Sequence, residues 1–203
     1  MIRRAIGRLY LRVAGWSVAG EVPPDPKFVM IAAPHTSNWD FPYMIAISYA
    51  LGVRLRWLGK ASLFRFPFGI FMRGMGGIPV DRSKRNNLVD QVADAFARHE
   101  RLIVTVPAEG TRAGGTGYWK SGFYRMAQAA GVPIALGFLD FTNKRGGIGP
   151  MIVPTGDVQA DMDRIRAFYR AEMAKFPADF TQPRLRDEEA PAALPGGSSP
   201  SAG

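Results

Sequence analysis

Histidine is scarce in this chain of 203 residues, standing only at positions 35 and 99. His35 comes five places before an aspartate in PHTSNWDFP, residues 34–42. A carboxylate at that distance can fold back onto one ring nitrogen, fixing the tautomer and leaving the other nitrogen to take a proton. Pro34 and Pro42 would stiffen the ends of such a turn. A histidine at a helix start is more often structural than catalytic, so the His35–Asp40 pair does not decide the matter alone. Two later segments bear on it. GGIPVDRS (76–83) places Arg82 beside glycines that let a ligand approach the backbone. PAEGTRAGG (107–115) offers Glu109, Gly110, Thr111 and Arg112 together. Arginine suits bidentate contact with phosphate, and glycine-rich turns present N–H groups to anions. Each arginine taken singly reads as one half of a surface ion pair.

The elements that would position these residues follow from periodicity. FVMIAAP (28–34) reads as a buried strand stopped by Pro34, and a helix follows over about 39–51, with Thr36, Ser37 or Asn38 as its N-cap. His35 then leaves the carboxyl end of a strand, where α/β sheets commonly bind ligands. RLIVTV (101–106) is strand-like and leads into the glycine-rich loop 108–122, a helix, and the strand VPIALGFL (132–139). Shorter strands are expected at 54–60, 78–80 and 151–154, a turn at 142–149, and helices at 86–100 and 160–176. Strands alternating with helices indicate α/β architecture, a single domain whose mixed, mostly parallel sheet is covered on both faces.

On a helix over 2–16, Ile2, Ile6, Leu9, Val13 and Trp16 share one face, and Arg4, Arg8 and Arg12 another. A basic amphipathic helix of this kind lies in a membrane interface or packs on its own domain. The apolar run LFRFPFGIFMRG (63–74) is expected in the core, with membrane contact as the other reading. From Arg186 the chain turns rich in Pro, Gly and Ser, the composition of a disordered tail.

Composition narrows the function classes. A formal charge of +9 suits anionic lipid, nucleic acid or phosphorylated substrates. Basic runs with interleaved aromatics, the mark of nucleic-acid binding, are missing. The absence of cysteine excludes disulfides, thiolate metal sites and a cysteine nucleophile. His35 and His99 have no ligand-spaced partners, so no metal is expected, and His99 reads as structural. The longest uncharged apolar stretch, 43–53, is short of the ~20 residues needed to span a bilayer, and Arg8 and Arg12 interrupt any signal-peptide core.

Taken in order, HTSNWD, GGIPVDR, AEGTR and VPI (132–134) resemble the blocks of the glycerolipid acyltransferase family, which includes 1-acylglycerol-3-phosphate acyltransferases. KSGFYRMA (120–127) is similar to the lysine–glycine stretch that follows, and Ala108 stands where the family usually has proline. The resemblance runs from about residue 28 to 139. It implies an acyltransferase domain over 17–185, after an amphipathic helix at 1–16 and before a disordered tail at 186–203. It implies His35 as general base and Asp40 as the residue that orients it. Arg82, Glu109, Gly110, Thr111, Arg112 and Lys120 would form the acceptor-phosphate region. The donor would be acyl-CoA or acyl-ACP and the acceptor a lysophospholipid, with 1-acylglycerol-3-phosphate giving phosphatidate. No cofactor is implied. The protein would sit peripherally (monotopically) on an anionic membrane surface, on its cytoplasmic side. The rival readings are another lysolipid or a lyso-aminolipid as acceptor, and an inactive peripheral membrane-binding protein.

Overall fold

A computed structural model of the chain describes residues 1–80, 88–110 and 117–189. Seven strands form one sheet in the order β1-β7-β6-β2-β5-β3-β4. They are β1 (Ser17–Ala19), β2 (Lys27–Ala33), β3 (Leu55–Lys60), β4 (Gly77–Val80), β5 (Leu102–Val106), β6 (Ile134–Asp140) and β7 (Arg145–Ile152). Every neighbouring pair is parallel except β6 with β7. The helices are α1 (Ile2–Ala14), α2 (Asp40–Leu51), α3 (Phe68–Gly74), α4 (Leu88–Arg98), α5 (Gly122–Ala130) and α6 (Val158–Phe168).

β2 lies between β5 and β6, with Ile31 opposite both Val106 and Leu136. Its residues alternate between two layers, as a pleated strand requires. Val29 and Ile31 pack into the core formed with Phe96 of α4, Phe123 of α5 and Ile165 of α6. Phe28 and Met30 face the other way, towards Met44 and Leu51 of α2. α2 is apolar on nearly every side because it lies between the sheet and α1. The outer contact is close. A Cβ on Gly7 of α1 would stand 2.5 Å from the Ala46 carbonyl oxygen of α2.

Several elements differ from the sequence expectation. α1 docks through Gly7 and Leu11, so the apolar face of Ile2, Ile6, Leu9 and Val13 points to solvent. Trp16 lies past the helix end and is buried against Tyr43 and Phe141. In the 61–77 stretch only Phe64 is buried among the large apolar residues, while Leu63, Phe66, Phe68, Ile70 and Phe71 are exposed. This corrects the expectation of core. β7 begins at Arg145, inside the segment expected to be a turn. Its glycines serve close approach, since a side chain on Gly147 would collide with the Ala19 carbonyl of β1. The last helix stops at Phe168, because Tyr169 turns inward and its hydroxyl donates to the Gly137 carbonyl at 2.9 Å. Arg186–Glu189 forms one 3-10 turn where a disordered tail was expected, and 190–203 lie outside the described residues.

Candidate active site

β2 and β5 are adjacent and parallel, so the residues after their carboxyl ends meet. His35 follows β2 by two places and Glu109 follows β5 by three. The backbone N–H of His35 donates to Glu109 Oε1 at 2.7 Å, joining the two blocks. His35 Nδ1 lies 3.0 Å from Asp40 Oδ2. The same oxygen accepts the Ser37 N–H at 2.9 Å, which holds the carboxylate against the turn. Asp40 is thus the first residue of α2 and serves its own turn, and Ser37, one of the expected caps, accepts the Trp39 N–H on its hydroxyl at 3.2 Å. With Nδ1 held by a carboxylate that is only 5% exposed, Nε2 is the ring nitrogen left for a substrate.

Glu109 is 4% exposed. Burial pushes its carboxyl up to about 7, against the opposing pull of the His35 backbone N–H and of His35 itself. Its Oε2 and the Asp40 Oδ1 are buried without partners among the described residues. Gly110 follows with φ +76°, and the Lys120 stem lies across it, so that a Cβ there would stand 2.8 Å from Lys120 Cε. The structure therefore brings His35, Asp40, Glu109, Gly110 and Lys120 together. Arg82, Thr111 and Arg112 lie outside the described residues. His99 is remote from this group, exposed, with Nδ1 2.8 Å from the Ala95 carbonyl oxygen at the end of α4.

Behind the pair opens a cavity of about 570 Å³, bordered by His35, Asp40 and Gly110 and lined mainly by apolar side chains. Its wall includes Phe41, Met44, Ile47, Ser48 and Leu51 of α2, so it runs beneath that helix, and Val53, Leu55 and Ile148 also line it. Ten residues of helix span about 15 Å, a length suited to an extended apolar chain more than a compact ligand. Sequence reading missed this cavity because its walls look like ordinary core. It also missed Trp119, which acts through its indole N–H.

The site is thus a histidine–carboxylate pair after β2, tied to Glu109 after the adjacent β5 and opening on an apolar cavity in an α/β fold. Residues 17–135, more than half of the chain, match the model of the family described as Acyltransferase, and the chain belongs to that family. It is 35% identical over 143 residues to the 1-acyl-sn-glycerol-3-phosphate acyltransferase of Haemophilus influenzae, a match covering 66% of this chain and 58% of that protein. The chain thus spans less than two thirds of that relative's length. The crystal structure of the 1-acyl-sn-glycerophosphate (LPA) acyltransferase PlsC from Thermotoga maritima is similar in fold. The TM-score is 0.52 at 16% identity, over 76% of this chain and 68% of that one.

Proposed function

We propose that the protein transfers a fatty acyl group from acyl-CoA or acyl-ACP to the hydroxyl of a lysophospholipid, with 1-acylglycerol-3-phosphate as acceptor and phosphatidate as product. The observation that carries this reading is the His35–Asp40 pair at the edge of an apolar cavity running beneath α2. The curated relative's name supplies the acceptor.

In this reading His35 Nε2 takes the proton of the acceptor hydroxyl as its oxygen attacks the thioester carbonyl carbon. Asp40 holds Nδ1–H and favours the imidazolium that forms. The tetrahedral oxyanion then collapses, the C–S bond breaks, and the imidazolium returns its proton to the leaving thiolate. A positioned base contributes roughly 10²–10⁴-fold. The acyl chain occupies the cavity. In this reading Lys120 and Gly110 contact the acceptor phosphate, with Arg82, Thr111 and Arg112 assigned to the same region.

The enzyme would work from a membrane surface, on the cytoplasmic face. Among the described residues no helix is long and apolar enough to cross a membrane. The support for surface binding is the outward face of Ile2, Ile6, Leu9 and Val13, flanked by exposed Arg8 and Arg12, together with exposed Leu63, Phe66, Phe68, Ile70 and Phe71. Leu63 also borders the cavity, which joins this apolar surface to the site.

The test is an assay of purified protein with labelled acyl thioester and 1-acylglycerol-3-phosphate, comparing wild type with Arg82→Ala and Arg112→Ala. Either variant should raise the acceptor KM more than the thioester KM. An unchanged acceptor KM in both would remove these arginines from acceptor binding.

A further inference from the structure

The segment after α6 lies beyond the residues that match the family model, and it is committed to the site. Its described residues, 169–189, form 3-10 turns at Ala171–Met173, Pro177–Asp179 and Arg186–Glu189. Irregular segments of this kind usually run over a surface with their backbone groups in water. Here several of those groups bond to the catalytic loops. The Phe176 N–H donates to Thr36 Oγ1 at 3.2 Å, and Thr36 is the buried residue next to His35. The Trp119 indole N–H donates to the Thr181 carbonyl at 2.8 Å, and the Trp119 backbone N–H to the Arg184 carbonyl at 2.7 Å.

These contacts close a circuit. Lys120, next to Trp119, donates its N–H to the Ala108 carbonyl at 2.7 Å. Ala108 precedes Glu109, which accepts the His35 N–H. The path therefore runs from His35 through Thr36, the C-terminal segment, Trp119 and Glu109 back to His35. The Lys175 ammonium sits 5.1 Å from the Trp39 ring centre, next to Asp40. The far end is anchored by Leu185, fully buried in the main core, and by Glu188 against Arg166 at 2.9 Å.

We propose that residues 170–189 form a clasp that sets the geometry of the His35–Asp40 turn, acting through Thr36 and Trp119 as positioning residues. The proposal rests on His35 being the base. Strand-end loops belong to the less stable parts of a fold, and a misplacement of about 1 Å can cost ~10²-fold in rate. A circuit that fixes both loops at once removes that freedom.

The test uses full-length protein carrying Thr36→Val, Thr36→Ser or Trp119→Phe. Valine keeps the bulk of Thr36 but cannot accept the Phe176 N–H, whereas serine can. Amide hydrogen exchange at His35 and Ser37 should speed up about tenfold or more in Thr36→Val and Trp119→Phe, with Thr36→Ser close to wild type. Exchange at Val29–Ile31 and Ile134–Leu136 should not change. In the acyl-transfer assay, kcat should fall about tenfold in the first two variants while the thioester KM holds. Unchanged exchange at His35 in both variants would overturn the clasp. So would a rise shared equally by the strands, which would mean a purely structural role. If wild type transfers no acyl group, the proposed function falls, and the exchange measurement still decides whether the clasp orders the turn.

Discussion

On the side of the sheet covered by α4, α5 and α6, Val29, Ile31, Val104, Ile134 and Leu136 interlock with Phe96, Phe123, Met126 and Ile165, all buried. On the side covered by α2, Met30, Leu55 and Ile148 from the same sheet border a cavity of about 570 Å³. One strand, β2, feeds both layers with alternate residues. The first layer sets buried side chains of sheet and helices against one another, as close-packed protein interiors do. The second gives up contacts beneath α2, and α1 covers the outside of that helix instead. Stability and ligand space are thus placed on opposite faces of one sheet, with the His35–Asp40 turn where the open face reaches the strand ends.

The sharpest test of this division is His35→Ala. Transfer should fall by about 10³-fold or more, while the thermal midpoint stays near wild type because the side chain lies outside the packed layer. A large loss of stability would show that the turn helps hold the fold together. Phe123→Ala should do the opposite. It empties a fully buried ring site and should cost about 3–5 kcal/mol in denaturant unfolding.

Glu109 lies between these extremes, a buried carboxyl at the junction of the loops. Its folded pKa stands at about 7 against an ordinary 4.5, so the folded state favours the protonated form. The associated stability is present in full below 4.5 and is lost as pH rises through 7. The loss is on the order of a few kcal/mol. Glu109→Gln should flatten the stability profile between those limits, read by urea unfolding at several pH values. A profile as steep as wild type would assign the titration to another group.

The smallest effects come from adding bulk on each face. Ala127→Leu inserts volume beside Phe123 in the filled layer and should cost about 1–3 kcal/mol. Ser48→Leu, directed into the cavity, should leave stability nearly unchanged and lower kcat/KM for long acyl donors more than for short ones. Equal stability losses in both variants would mean that the cavity closes in solution.

What the sequence made legible follows the same division. β2, α2, β5, α5 and β6 were readable because their periodicity and their proline and glycine boundaries are local signals. The order of the chemical blocks along the chain was readable too. The orientation of α1 was not. Periodicity marks an apolar face, but only the fit of Gly7 against Ala46 decides which side docks. β7 hid behind glycines that resemble a turn, and the α6 boundary depended on Tyr169 reaching Gly137 across the fold. The contacts of the C-terminal segment with Thr36 and Trp119 are long-range and use backbone groups, which no residue pattern announces. The cavity beneath α2 left no sequence signal for the same reason: its walls have the composition of a core.

The central claim is that this site moves an acyl group onto a phosphorylated lysolipid. The most direct measurement offers purified protein acyl-CoA and acyl-ACP in turn, with 1-acylglycerol-3-phosphate, other lysophospholipids and a lyso-aminolipid as acceptors in mixed vesicles, and follows the acylated products by mass. Phosphatidate should be the main product, formed by wild type and lost in His35→Ala. Transfer to a different lysolipid in preference would contradict the acceptor. No acylated product from any pairing, with both thioesters left intact by folded protein, would contradict the claim itself.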